Sequence, residues 1–147
     1  MKNIVNIFTD GASRGNPGLS AAGIVIKDAN NNILNVSGKF LGIHTNNYAE
    51  YTALIESLEI LESSGLQPEK INFFLDSELV VKQISGKYKI KNKDLIKLSL
   101  NFMKKISSLK IPFEINYIPR KENVIADKLA NEAIDKYLLE SKKLSSG

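Results

Sequence analysis

The chain has 147 residues, a length that fits one domain. Hydrophobic residues make up 43% of it, enough for a core without covalent staples, and the absence of cysteine excludes disulfides and thiolate metal sites. The net charge of +4 leans mildly toward a polyanionic partner.

The N-terminus lacks a basic-then-apolar leader pattern, and no apolar run reaches membrane-spanning length. The expectation is a soluble, cytoplasmic protein with no membrane partner. Residues 1–140 read as a single domain, and residues 141–147 as a polar, frayed tail.

Residues 3–9 form a nearly continuous apolar run, the pattern of a strand central in a sheet. Residues 11–20 carry glycines, an asparagine and a proline and read as a loop. Strands are expected over 21–27 and 33–41, joined by the turn-forming run Asp28 to Asn32. Short links between three strands suggest an antiparallel meander. From Asn47 to Ser63 the period changes, with Tyr51, Leu54, Ile55, Leu58 and Leu61 at helical spacing. Gly65 and Pro68 stop that helix. A short strand follows over 71–75, then a short helix over 77–85. Residues 87–93 form a basic connector, and residues 95–109 a helix with Leu95, Leu98, Phe102 and Ile106 on one stripe. The last elements are a strand over 113–118 and a helix over 122–139. The order βββαβααβα implies a five-stranded mixed sheet flanked by helices. A right-handed crossover puts the fourth strand parallel to the first, with their carboxyl ends side by side.

That topology gathers acids. Asp10 and Asp76 close the first and fourth strands. Adjacent carboxylates repel each other unless protonated or bridged by a cation. Glu50, Leu54 and Leu58 share a helix face, so Glu50 sits at the rim of the buried side. Taken alone, Asn47 to Glu50 also fits a capping box, with Glu50 bonding back to the cap. Asp127 stands early in the last helix, where the helix dipole alone would suit an acid. Taken together, four acids with one histidine and no cysteine form a hard-oxygen set that selects Mg²⁺ or Mn²⁺. Paired ions roughly 3.5–4 Å apart suit in-line displacement at phosphorus.

The segments Asp10-Gly-Ala-Ser-Arg-Gly-Asn-Pro-Gly18, Thr45-Asn-Asn-Tyr-Ala-Glu-Tyr51, Asp76-Ser77 and Asn123-Val-Ile-Ala-Asp127 resemble the motifs of type 1 ribonuclease H. The resemblance covers about residues 4 to 138 and fills all four acidic positions in order. It implies the ribonuclease H-like fold and hydrolysis of the RNA strand of RNA–DNA hybrids, leaving 5′-phosphate and 3′-hydroxyl ends. It further implies two Mg²⁺ or Mn²⁺ ions, with Asp10 serving both, Glu50 and Asp76 on one, and Asp127 on the other. Asn16, Asn46 and Asn47 fall at positions that contact the hybrid through its minor groove. Thr45 and Asn92 fall at positions that grip a phosphate of the DNA strand, and Ser77 stands among the substrate-binding candidates. The glycines of the first motif would let backbone lie close to a sugar–phosphate chain.

Three departures accompany the resemblance. The chain is too short around Gly86 to Lys93 for the basic protrusion of some members, although Lys87, Lys89 and Lys91 offer one basic edge if that connector is extended. The loop before Asp127 has no histidine, leaving Arg120 or Lys121 as its cations. Glu78 replaces the glutamine of many members. The lone His44 reads as a surface or packing residue. The expected working form is a monomer. Double-stranded RNA is a further candidate substrate, and a non-catalytic nucleic-acid-binding module of the same fold is the competing reading.

Overall fold

The computed structural model describes residues 3–146. Among these, five strands pair in the spatial order β3-β2-β1-β4-β5. The sequence supplies β1 (Ile4–Gly15), β2 (Gly18–Asp28), β3 (Ile33–His44), α1 (Asn46–Ser64), β4 (Lys70–Leu75), α2 (Glu78–Ile84), α3 (Lys93–Leu109), β5 (Phe113–Tyr117) and α4 (Val124–Ser146), with a 3-10 turn at Arg120–Glu122. The expected element order holds. So does the parallel placement of β4 beside β1, with Thr9 opposite Leu75. The β1-β2 and β2-β3 pairs are antiparallel and the β1-β4 and β4-β5 pairs parallel.

The glycine-rich stretch is not the loop its composition suggests. β1 runs through it to Gly15, turns at Asn16 and Pro17, and returns as β2 from Gly18, in unbroken register with Gly15 opposite Gly18. Asp10 therefore lies within β1, although the pairing with β4 stops one residue earlier. β4 thus ends at the level of Asp10, while β2 stays paired with β1 past it. The β2-β3 turn follows composition: Asp28 accepts from the backbone of Asn30 and Asn32, both at 2.9 Å.

The sheet separates two layers. On one face α1 packs on β1, with α3 behind it, around Tyr51, Leu54, Leu58, Phe73 and Phe102. Phe73, Phe102 and Phe113 meet edge to face, with centroids 5.5–6.0 Å apart. Phe73 and Phe102 are fully buried, each contributing about 1.5–3 kcal/mol, and Phe113 is partly buried. α1 is enclosed by both sheet and α3, so Ala49, Ala53 and Ser57 are buried along with the expected stripe. On the other face α4 lies across β1, β2 and β3 through Ala130 and Ile134, which pack with Ala21. α4 continues to Ser146, so residues 141–146, expected as a tail, are helical; Gly147 lies outside the described residues. No helix among the described residues is long and apolar enough to cross a membrane.

Candidate active site

Two glycines flanking Asp10 decide where the helices can sit. A Cβ on Gly11 would lie 2.3 Å from the backbone nitrogen of Glu50 and 2.4 Å from the carbonyl carbon of Ala49. A Cβ on Gly23, opposite Asp10 in the register, would lie 1.9 Å from the carbonyl oxygen of Ala126. Only glycine lets the first turn of α1 press on β1 and that of α4 on β2. The close approach at these positions is internal to the protein, and it carries Glu50 and Asp127 toward Asp10.

Glu50 does not cap its helix. Thr45 is the N-cap, its Oγ1 accepting from the amide of Tyr48 at 3.2 Å, and α1 begins at Asn46. The carboxylate of Glu50 instead faces Asp10 and accepts from the backbone of Gly11. Asp10 and Glu50 are 4% and 6% exposed, and Asp76, just past β4, is partly buried. One ligand oxygen from each of the three falls within a span of 4.8 Å. Asp127 lines the same cleft from α4, beside this trio.

Such crowding has an electrostatic cost. Burial and then the charge of Glu50 push the Asp10 carboxyl up to about 10. Burial pushes Glu50 up to about 8. Burial also raises Asp76, against the opposing hydrogen bond from Asn123 and the charge of Arg120. Glu50 Oε2 is buried with no hydrogen-bond partner. Three clustered carboxyls, one of which carries an unsatisfied oxygen, fit a hard divalent cation, which would replace the protons as counter-charge.

A stability prediction follows from the sign of these shifts. The folded state holds protons on Asp10 and Glu50 that the unfolded chain releases near its ordinary values of 3.8 and 4.5. Stability from this cluster is therefore full below those values and is lost as pH rises toward about 8 and about 10. In chelator, the melting temperature should fall between about pH 5.5 and about pH 9. Millimolar Mg²⁺ should oppose the fall, most strongly at the alkaline end, because cations compete with protons. Thermal melts across pH with and without Mg²⁺ check this.

The other candidates divide between this cleft and a neighbouring pocket. Asn46 lines the cleft, and its backbone N–H donates to Asn16 Oδ1 at 3.1 Å, which ties the β1-β2 turn to α1. Asn47 is half-buried in the first turn of α1. Thr45 and Asn92 line one pocket of about 440 Å³ with His44, Tyr48 and Asp94. Both are N-caps, Asn92 Oδ1 accepting from Asp94 and Leu95, so the amino ends of α1 and α3 converge there. Helix amino ends favour anions. Ser77 caps α2, its Oγ accepting from Val80 at 3.3 Å. Lys87, Lys89 and Lys91 are exposed on the connector before α3. Glu78 is exposed and paired with Lys82 at 2.6 Å, so its charge is balanced. His44 stacks on Tyr48 at 4.0 Å and bonds the carbonyl of Leu41, a packing role. Arg120 is 82% exposed and stands 3.8 Å from Asp127 Oδ1.

Sequence reasoning missed two supports. Asn123 is buried and its Nδ2 donates to the carbonyl of Thr9 at 2.8 Å and to Asp76 Oδ2 at 3.3 Å. It joins β1, β4 and the start of α4 at the acids. Its place in the fourth motif was visible, but not its direction. Arg14 and Asn131 form the second support, on the far side of Asp127.

Comparison with known proteins bears on this arrangement. The reverse-transcriptase-like family matches residues 8–133. A bifunctional protein of Mycobacterium tuberculosis is 40% identical over 134 residues, covering 89% of this chain and 35% of that protein. The chain thus spans about a third of the length of that relative. A ribonuclease H of Caldanaerobacter subterraneus is 34% identical, covering 96% of this chain and 99% of its own. The crystal structure of LC11-RNase H1 in complex with an RNA/DNA hybrid is 41% identical with a TM-score of 0.82, covering 91% of this chain and 99% of that one.

Proposed function

The chain belongs to the ribonuclease H family, and from that membership and the acid cluster we propose that it hydrolyses the RNA strand of RNA–DNA hybrids in a divalent-metal-dependent reaction. The observation that carries the reading is the convergence of Asp10, Glu50 and Asp76 within 4.8 Å, with an unsatisfied buried oxygen on Glu50.

In this reading Asp10, Glu50, Asp76 and Asp127 would hold two Mg²⁺ or Mn²⁺ ions, with Asp10 available to both. When bound, such a pair supplies water activation and charge neutralisation at the phosphate, giving 5′-phosphate and 3′-hydroxyl ends. The protein's share is positioning, which sets carboxylates before substrate arrives. Asn123 fixes Asp76 through its Nδ2. Arg120, on solvent-exposed turn backbone beside Asp127, adds positive charge near the scissile phosphate and the departing product. Its guanidinium acts by charge and hydrogen-bond donation. Arg120→Ala is expected to lower kcat about 3- to 10-fold, about 1 kcal/mol, with the metal requirement retained. Steady-state kinetics on a hybrid checks this.

Substrate selection needs a group that senses the 2′-hydroxyl. Asn16, Asn46 and Asn47 carry amides suited to that task. Asn16 Oδ1 is engaged by Asn46, which leaves its amide nitrogen to donate. Thr45 and Asn92, at the paired helix amino ends, take a phosphate of the DNA strand, with Ser77 a further contact candidate. Lys87, Lys89 and Lys91 add salt-dependent attraction.

Incubation with Mg²⁺ or Mn²⁺ and labelled hybrid, double-stranded RNA, double-stranded DNA and RNA–DNA junctions tests the proposal. Cleavage confined to RNA in the hybrid is expected. Binding to the hybrid without cleavage across metal and pH would favour a non-catalytic module, and equal cleavage of double-stranded RNA would remove the hybrid specificity.

A further inference from the structure

Asp127 lies outside the tight trio but its carboxyl approaches that of Asp10, so what directs it matters. Asp127, Asn131 and Asp135 follow at i, i+4 and i+8 and share one face of α4. On β1, Asp10, Ala12 and Arg14 alternate onto one face of the sheet, and Ala12 packs with Ala130 and Ile134 of α4. Arg14 therefore emerges against that helix face, in the wall of the acidic cleft.

The contacts form a continuous chain. Arg14 Nη1 pairs with Asp135 Oδ1 at 2.7 Å. Arg14 Nη2 donates to the carbonyl oxygen of Asn131 at 3.2 Å and to its Oδ1 at 3.4 Å. Asn131 Nδ2 then donates to the carbonyl oxygen of Asp127 at 3.0 Å and to its Oδ1 at 3.3 Å. The logic is directional. A guanidinium only donates, so it draws the amide oxygen of Asn131 toward itself. That turns the amide nitrogen toward Asp127, whose carboxylate only accepts. Asp135 holds the guanidinium from its other side. Asn131 bonds Asp127 at Oδ1 and Arg120 stands 3.8 Å from the same atom, so Oδ2 is free of both and available to a cation.

We propose that Arg14 is a positioning residue that sets the direction of the Asp127 carboxylate through the Asn131 amide, with Asp135 as its anchor. The inference rests on the metal-dependent reading of the acid cluster. The ion pair of Arg14 is itself exposed, 38% and 65% at its two ends, so its loss changes stability little. The effect belongs to metal binding. Partners that orient a ligand typically govern metal affinity by 10- to 100-fold.

The test compares wild type with Arg14→Met, which keeps the aliphatic stem, with Asn131→Ala, and with the double variant. Four quantities are read: Mn²⁺ affinity by calorimetry, kcat and KM on a hybrid at saturating and limiting Mg²⁺, and the melting temperature in chelator. Each single variant should weaken Mn²⁺ binding about 10-fold and lower kcat at limiting Mg²⁺, with recovery at high Mg²⁺. KM and the melting temperature should stay near wild type. The double variant should be no worse than either single one, because one link is cut twice. Arg14→Lys should recover part of the affinity. Asn131→Ala breaks the same link at a different residue, so the test stands if Arg14→Met fails to fold. Unchanged Mn²⁺ affinity, fully additive losses, or a defect confined to KM would overturn the proposal. Wild type that neither binds Mn²⁺ nor cleaves hybrid would overturn the reading of the site itself, whereas active wild type with unaffected variants overturns only the role of Arg14.

Discussion

Asp10→Asn should reduce hybrid cleavage on the order of 10³-fold or more while raising the stability of the metal-free protein. The two effects have one cause. Asp10 is buried against Glu50, and burial and that charge together push its carboxyl up to about 10. An amide keeps the shape, removes the charge that a cation requires, and relieves the crowding that the fold otherwise absorbs. The gain in chelator should be about 1–2 kcal/mol, several degrees in melting temperature at neutral pH, and should grow as pH rises. Hybrid binding without metal should hold at neutral pH, because the amide keeps the shape and neutrality of the protonated carboxyl. Kinetics, thermal melts and a binding titration read the three effects separately. Near-normal turnover by Asp10→Asn would contradict the role given to this carboxylate, and a lower melting temperature would contradict the electrostatic account of the cluster.

Gly11→Ala should be nearly as damaging by a different route. The added methyl would meet backbone atoms, Glu50 N at 2.3 Å and Ala49 C at 2.4 Å, and backbone cannot rotate aside as a long side chain can. The first turn of α1 must retreat, at a cost of about 2–4 kcal/mol. Because Glu50 rides on that turn, the carboxylate moves away from Asp10 in whatever fraction stays folded. At low temperature, with folding verified by circular dichroism, cleavage should fall about 100-fold or more. Gly65→Ala is the matched control. Gly65 caps α1 at its other end with φ 77°, and nothing lies near its added methyl. That substitution should cost about 1 kcal/mol and leave cleavage unchanged in the folded protein. Equal losses of activity in the two variants would sever the link between helix approach and site assembly.

Much of this architecture is legible in the sequence because hydrophobic period is a local signal. The change from apolar runs to helical spacing at Asn47 marks the meander's end, and crossover geometry then puts Asp76 beside Asp10. The glycine segment misled because composition reports turn chemistry and not pairing. Residues 11–15 look like a loop, yet Ala12 and Arg14 pair with Ala21 and Leu19 as an extension of β1. The cap of α1 was misplaced for a related reason. Several residues near its start are capping-competent, and the geometry selects Thr45, freeing Glu50 for the cleft. The supports of the site were the least legible part. Asn123 bonds Thr9 across 114 positions, and Arg14 meets Asn131 across 117. Such contacts depend on how α4 crosses the sheet, which is set in part by the bare backbone of Gly23 and Gly38. No local pattern encodes them.

The chemistry of the cut ends tests the central claim most directly. An RNA–DNA hybrid cleaved to partial completion in Mg²⁺, with its RNA fragments weighed by mass spectrometry, should show 5′-phosphate and 3′-hydroxyl ends, and chelator should stop the reaction. Fragments ending in 2′,3′-cyclic phosphate would mean that the RNA's own 2′-hydroxyl is the nucleophile, and either that result or cleavage that persists in chelator would contradict a carboxylate-held metal centre at Asp10, Glu50, Asp76 and Asp127.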